Sequence, residues 1–178
     1  MRNYFGVAAL MVLAACNTNS NSSGTTTKDS TAKTVAVATV ASISFKDAKL
    51  QDIYNDYIAL KDALVATKMP DAQTAAKKLA GSLKIFNGCE NTAVTAQKIA
   101  DAKDIVAQRK EFTALSSDVI ALFKHAELAK GTIFVQHCPM ANKGDGGDWL
   151  SSEKKIQNPY FGSEMMECGA VTEEIKAK

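Results

Sequence analysis

Residues 105–126, IVAQRKEFTALSSDVIALFKHA, carry the clearest structural pattern in this chain. Two sets of apolar residues recur at seven-residue spacing, Ile105, Phe112, Val119 and Ala126 in one set and Leu115 and Leu122 in the other. Such spacing places the apolar side chains on one face of an α-helix. Asp104, directly before them, has the short carboxylate side chain that caps helix N-termini. We therefore predict a long amphipathic helix that begins after Asp104.

Shorter segments before this helix show the same periodicity. Two further apolar stripes at helical spacing consist of Leu50, Ile53, Tyr57, Leu60 and Leu64, and of Ala72, Ala76, Leu79, Leu83 and Phe86. Pro70 separates them, because proline disfavours helical geometry in the residue before it and is favoured at a helix start. An Ala-rich segment from Asn91 to Asp101 predicts one more helix. With short connections between them, these segments predict a mainly α fold, an antiparallel up-and-down bundle of about four helices.

The pattern changes after Gly131, where residues 132–136 read TIFVQ. β-Branched and aromatic residues favour a short strand there, and a second strand within residues 165–175 would pair with it as a small C-terminal β-hairpin. Ser151-Ser152-Glu153 is expected to open one helical turn, and residues 158–162 (NPYFG) to form a turn. Residues 131–178 are thus predicted to be a C-terminal motif region attached to the bundle.

The N-terminus has the features of an export signal. Arg2 precedes a nearly apolar stretch, Tyr4 to Leu13, which has the length of a signal-peptide core and is too short to span a bilayer. The residues that follow, Leu13-Ala14-Ala15-Cys16, resemble a bacterial lipobox, so Cys16 is the predicted lipid attachment site. The alternative is an ordinary secretory signal that leaves Cys16 as a free thiol. Asn17 is not aspartate, which favours an outer-membrane anchor facing the periplasm.

These features divide the chain into a signal peptide at 1–15, a lipid-anchored flexible linker at 16–44 and one folded domain at 45–178. The linker prediction rests on a run of Asn, Ser, Thr and Gly from Asn17 to Lys33, which has little to bury. A formal net charge of +2 gives no reason to expect nucleic-acid binding.

Sulfur and imidazole side chains are concentrated near the C-terminus. His137, Cys138 and Met140 lie within four residues, and Met165 and Cys168 lie in a second cluster that strand pairing would bring beside the first. Thiolate, thioether and imidazole ligands together favour a soft ion such as Cu(I) over Mg²⁺ or Ca²⁺. These five residues form the predicted metal-ligand pool, of which one site would use three or four.

The same sulfur residues are also compatible with a purely structural role. In an oxidising compartment Cys138 and Cys168 would form a disulfide that stabilises the fold by roughly 3 kcal/mol in the chain-entropy model. The odd number of cysteines then leaves Cys89 over, or Cys89 pairs differently. The methionines would then be core filler. The run from Asn142 to Asp148 lacks the ligand spacing of an EF-hand and is interpreted as a glycine turn. No motif supports a Cys/His nucleophile, so no catalytic residues are predicted.

The C-terminal residues also resemble a known family. VQHCPMA (135–141), NKG (142–144) and the later Trp149, NPYFG, Met165 and Cys168-Gly169 are similar to the signature of a bacterial domain family of unknown function. YIALKDALV (57–65) and AKDIVAQRKEFTALS (102–116) are similar to its helical part, so the resemblance spans about Phe45 to Ile175. That family occurs in lipoproteins of Bacteroidetes-type bacteria and in periplasmic adaptor subunits of copper and silver efflux systems. The resemblance implies an exported helical domain in a heavy-metal setting, without established ligands.

Together these observations predict a non-enzymatic outer-membrane lipoprotein, facing the periplasm, that binds a copper ion. It would buffer the metal or pass it to a heavy-metal efflux adaptor, and its membrane contact would be the lipid anchor. The rival prediction is an interaction module of the envelope or an efflux complex, with a structural Cys138–Cys168 disulfide. In that case Trp149, Tyr160 and Phe161 would contact the partner. A thiol redox role for Cys138 is a third possibility.

Overall fold

A computed structural model describes residues 42–177 of the protein. The predicted signal peptide, the predicted lipid attachment site Cys16 and nearly all of the predicted linker lie outside the described residues. None of the helices in the described range is long and apolar enough to cross a lipid bilayer.

Four α-helices form the larger part of the described chain, as the apolar periodicity predicts. They are α1 (Ala48–Val65), α2 (Met69–Lys84), α3 (Glu90–Asp101) and α4 (Ile105–Lys124). The predicted cap of α4 is present, because the Asp104 carboxylate accepts a hydrogen bond from the Ala107 N–H at 2.7 Å. Pro70 lies in the first turn of α2, where its missing N–H costs no intrahelical hydrogen bond. The fold is therefore mainly helical.

The helical region ends earlier than its periodicity predicts. α4 stops at Lys124 with His125 as its C-cap, so Ala126, which continues the heptad, lies outside the helix. Leu128–Lys130 forms a short strand, β2, that pairs antiparallel with β1 (Ser44–Phe45). Here, hydrogen bonding to a distant strand overrides the local helical pattern. Sequence periodicity does not reveal such a pairing partner.

Aromatic side chains join α1 to α4 in the core. Tyr57 is fully buried, and its ring stacks on Phe112 with centroids 5.7 Å apart. Its hydroxyl lies 2.6 Å from Ser116 Oγ and accepts a hydrogen bond from the Leu150 N–H at 3.1 Å. Burial raises the pKa of Tyr57 well above its usual value, so the phenol stays protonated. One hydroxyl thus links two helices to the C-terminal region.

We expect Tyr57→Phe to lower the free energy of unfolding by about 1–3 kcal/mol, because it leaves the buried Leu150 N–H without an acceptor. Tyr54→Phe is the matched control. Tyr54 is also buried in α1, but its hydroxyl has no hydrogen-bond partner among residues 42–177. Urea denaturation followed by circular dichroism should therefore separate the two variants. Equal losses in both would contradict the role given to the Tyr57 hydroxyl.

The C-terminal region is a three-stranded antiparallel sheet rather than the predicted two-stranded hairpin. Its strands are β3 (Thr132–Cys138), β4 (Gly147–Ser151) and β5 (Ala170–Lys176), in the order β4-β3-β5. The predicted strands correspond to β3 and β5. The additional strand, β4, occupies the end of the segment interpreted as a glycine turn, and it includes Ser151. The helical turn expected at Ser151-Ser152-Glu153 is therefore wrong.

The predicted turn at residues 158–162 is present. The Gly162 N–H donates to the Asn158 carbonyl at 2.9 Å, and the Asn158 side chain accepts a hydrogen bond from the Tyr160 N–H at 2.8 Å. Arg109 on α4 donates to the Pro159 carbonyl at 2.9 Å, so the turn is attached to the helices.

Candidate metal centre

Strand pairing brings Cys138 and Cys168 together. Cys138 is the last residue of β3, and β5 begins two residues after Cys168. His137 lies opposite Ala170 in the ladder, so the chain that approaches β5 passes the end of β3. The Cys168 thiol lies next to the Cys138 thiol. Two sulfur atoms that are distant in sequence therefore meet at one end of the sheet.

A tight turn holds Cys168 in place. Its N–H donates to the Met165 carbonyl at 3.1 Å, and its own carbonyl accepts a hydrogen bond from the Asn158 amide at 2.9 Å. The backbone N–H of Met140 also interacts with the Cys168 thiol. The neighbouring Cys138 thiol is the main reason that the pKa of the Cys168 thiol is raised, followed by burial. The two thiols are thus fixed as a pair by both segments of the chain.

Glycine allows the two segments to approach this closely. A Cβ atom at Gly169 would lie 2.7 Å from the His137 carbonyl oxygen and 3.0 Å from Cη2 of Trp149. Gly169 has a φ of +143°, a backbone conformation that side chains disfavour. Residue 169 therefore has to be glycine for Cys168 to reach Cys138.

The surroundings of the sulfur pair are mostly apolar. The Cys138 side chain is fully buried, while Cys168 keeps part of its surface and Met140 is 56% exposed. Trp149 and Tyr160 are both buried and lie edge to face, with centroids 6.1 Å apart. Of the two cysteines, Cys168 is therefore the one with accessible surface. Neither Trp149 nor Tyr160 offers the exposed contact that the rival prediction gives them.

His137 lies away from the sulfur pair. Consecutive residues of a strand point to opposite faces of the sheet, so His137 and Cys138 diverge. His137 Nδ1 lies 2.9 Å from a carboxylate oxygen of Asp148, the residue opposite it on β4. Its ring also packs against Gly146, where a Cβ atom would lie 2.7 Å from Cε1. The structure thus places this member of the predicted ligand pool in a separate polar contact.

The remaining sulfur residues divide between the site and the scaffold. Met165 is partly buried and belongs to the turn that holds Cys168 through its carbonyl. Cys89 is the N-cap residue of α3, where burial raises the pKa of its thiol. Cys89, Cys138 and Cys168 are all free thiols. The structure brings together Cys138 and Cys168 of the predicted pool, with Met140 and Met165 on the adjoining turns.

The arrangement limits which ions the site suits. Within residues 42–177 no group of three or more His, Cys, Asp or Glu side chains is arranged to hold a metal ion. Structural zinc sites use four such ligands in a tetrahedron. Two thiols, with Met140 and Met165 on the adjoining turns, instead match the soft ligand set that selects Cu(I).

Two contacts of the site were not predicted from the sequence. The pairing of His137 with Asp148 was missed because β4 was not predicted, and the fixing of Cys168 by Asn158 needs a turn geometry that spacing does not show. One signal was present: had β3 been extended from Gln136 to Cys138, strand alternation would have separated His137 from Cys138.

Comparison with known families gives one match. Residues 53–131 match the family model described as Protein of unknown function (DUF3347). The expected resemblance to a domain family of unknown function is thereby confirmed for this range. The match contains most of α1, all of α2, α3 and α4, and β2, and it ends before β3. The sulfur pair therefore lies outside the matched range.

Comparison with curated proteins and with solved structures finds no match. Neither the family description nor any relative assigns a ligand to this chain. The function is therefore inferred from the geometry and chemistry of the sulfur pair.

Proposed function

We propose that the protein binds a soft metal ion, Cu(I), between the thiol groups of Cys138 and Cys168. The observation that carries the proposal is the contact between these two side chains, which come from different parts of the chain and meet against the hydrophobic core. Thiolate is a strong ligand for Cu(I), and an apolar surrounding limits the access of solvent to a bound ion.

The ligand set is narrower than the five residues predicted. Cys138 and Cys168 are the two primary ligands, and Met140, on the exposed turn beside Cys168, is the proposed thioether ligand. Met165 is the second candidate thioether. His137 stays with Asp148 and contributes at most a polar neighbour. Because thiols bind metal as thiolates, affinity should increase with pH.

The proposed role of the whole protein builds on this metal site. We infer that the four helices form an antiparallel up-and-down bundle that serves as a scaffold for the metal site. The protein would be a periplasm-facing outer-membrane lipoprotein, attached through Cys16, that buffers copper or passes it to a heavy-metal efflux adaptor. The lipobox-like residues and the resemblance of the C-terminal signature support this proposal. No catalytic step is needed for either role.

The alternative is an interaction module in which Cys138 and Cys168 form a structural disulfide. The same contact between the thiols supports it. Of the three aromatic residues it assigns to a partner surface, however, only Phe161 is not buried. The metal proposal uses the observed geometry without requiring those aromatic side chains to become exposed.

The test is a competition titration of the reduced, detergent-solubilised full chain with Cu(I) and a chromogenic chelator under anaerobic conditions. Even outer-shell changes weaken metal sites by about 10- to 100-fold, so Cys138→Ser and Cys168→Ser should each weaken binding by at least about 100-fold. Met140→Leu should have a smaller effect, on the order of tenfold.

Cys89→Ser is the matched control, because Cys89 is a buried thiol on the helical scaffold. It should leave Cu(I) affinity unchanged. Thermal melting of each variant would show whether a loss of binding reflects unfolding. No competition by the reduced protein, or equal affinity in Cys138→Ser, would overturn the proposal.

A further inference from the structure

We propose that Cys138 and Cys168 are a reversible dithiol–disulfide site whose oxidation excludes the metal, so that metal loading and oxidation are alternative states of the same two sulfur atoms. The exclusion of metal rests on the proposed function, whereas the disulfide step does not. The occupant of the site would then depend on the redox conditions around the protein.

The backbone already holds the two residues at a suitable place. The β3–β5 ladder ends with His137 opposite Ala170, so Cys138 lies one residue and Cys168 two residues beyond that last pair. Cys138 ends β3, and Cys168 precedes Gly169 on the chain that enters β5. The two thiols already lie next to each other, so a disulfide requires only a further approach of the two sulfur atoms. No strand has to be unpaired for this.

The unequal exposure of the two residues determines which cysteine reacts first. Cys138 is fully buried and Cys168 is partly exposed, so an external oxidant can reach only Cys168. The oxidant is a disulfide, either of glutathione or of a thiol-oxidising protein. The Cys168 thiolate attacks one of its sulfur atoms, forms a mixed disulfide and releases one thiol.

The second step completes the exchange within the protein. The Cys138 thiolate attacks the Cys168 sulfur, the mixed disulfide breaks and the second thiol of the oxidant leaves. Two electrons and two protons pass from the protein to the oxidant, which is reduced from one disulfide to two thiols. Cys89 takes no part, since it lies at the start of α3 on the scaffold.

Exclusion of the metal follows from the sulfur chemistry. Thiolates are the metal-binding form of cysteine, and a disulfide has neither thiolate. A metal that binds only the reduced form stabilises it, so a 100-fold excess of free metal over its Kd shifts the redox equilibrium by about 100-fold. At about 29.6 mV per tenfold change for a two-electron couple, this shift is about 59 mV.

The first experiment uses the metal-free full chain equilibrated with glutathione buffers of increasing oxidised fraction. Alkylation of free thiols and peptide mass analysis identify the bonded residues. We expect a Cys138–Cys168 disulfide in the wild type and in Cys89→Ser. In Cys138→Ser, Cys168 should accumulate as a mixed disulfide with glutathione, whereas Cys138 in Cys168→Ser should stay protected.

The second experiment compares the Cu(I) affinity of reduced and pre-oxidised protein after glutathione has been removed. Oxidation should weaken binding by at least about 100-fold, the factor expected for loss of either thiolate. Absence of the Cys138–Cys168 disulfide under the most oxidising buffer would overturn the inference, as would unchanged affinity after oxidation. Failure of the proposed function is seen separately, when the reduced protein does not compete for Cu(I).

Discussion

Trp149→Ala should lower the free energy of unfolding by about 3–5 kcal/mol, the range for removal of a buried aromatic side chain. Trp149 on β4 is fully buried, packs edge to face against Tyr160 and contacts Gly169 through its ring. Its removal would leave a large cavity between the sheet and the turn that carries Cys168. Urea denaturation followed by far-ultraviolet circular dichroism measures the loss, since the variant lacks the only tryptophan.

Trp149→Phe is the control that separates the effect of lost side-chain volume from the effect of a lost hydrogen bond. The indole N–H has no hydrogen-bond acceptor within residues 42–177, so phenylalanine removes no such bond. The expected loss is clearly smaller than for Trp149→Ala, because phenylalanine keeps part of the aromatic volume and leaves a smaller cavity. If Trp149→Phe cost as much as Trp149→Ala, an indole hydrogen bond rather than packing would be responsible. Trp149→Ala should also bind Cu(I) more weakly, because Gly169, next to Cys168, would no longer pack against the Trp149 ring.

Gly162→Ala should destabilise the protein by about 2–4 kcal/mol, through backbone strain and overpacking together. Gly162 has a φ of +61°, in the left-handed region that favours glycine. A Cβ atom there would lie 2.5 Å from Thr67 Oγ1, 2.8 Å from the Val65 carbonyl oxygen and 2.9 Å from a guanidinium nitrogen of Arg109. These contacts come from the end of α1 and from α4, so the side chain has no free direction.

A clash between a Cβ atom at residue 162 and the Arg109 guanidinium group would also affect the residues that Arg109 binds. Arg109 donates to the Leu64 carbonyl at 3.1 Å and to Thr67 Oγ1 at 3.0 Å, as well as to the Pro159 carbonyl of the turn at 2.9 Å. A methyl group at Gly162 would displace Arg109 from these acceptors. The turn would then lose its attachment to α1 and α4.

Gly81→Ala is the matched control for this prediction. Gly81 lies within α2, and a Cβ atom there meets nothing within 4 Å. Alanine at that position should stabilise the protein by about 0.5–1 kcal/mol, because glycine lowers helix stability. Chemical denaturation of both variants therefore gives changes of opposite sign. A loss in Gly81→Ala, or none in Gly162→Ala, would contradict the local geometry at the respective residue.

The helices were predictable because their signals are local. Apolar spacing along α1, α2 and α4, the Asp104 cap and Pro70 are each contained within a few residues. The structure retains these signals, except that Phe86 and Ala126 lie beyond the ends of α2 and α4. The strand β4 was not predictable in this way. Its residues, Gly-Asp-Trp-Leu-Ser, begin with two poor strand formers, and pairing with β3 decides its conformation.

The candidate site was only partly predictable for the same reason. Composition identified the sulfur residues, and the expectation that a strand pairing would join the two clusters agrees with β3 and β5. Neither composition nor spacing showed that Cys138 belongs to the site while its neighbour His137 lies apart from it. The direction of each side chain depends on the exact extent of β3, which the sequence pattern predicted two residues too short at its end.

The sequence by itself therefore determined that the protein is mainly helical, with a short β region rich in sulfur ligands at its C-terminal end. These features follow from periodicity, caps and composition, which act over one or two helical turns. Only the tertiary structure decided which ligands meet. Antiparallel pairing brings Cys168 to Cys138, while strand alternation turns His137 toward Asp148. Contacts between distant segments depend on register and strand ends, and local sequence patterns do not specify these.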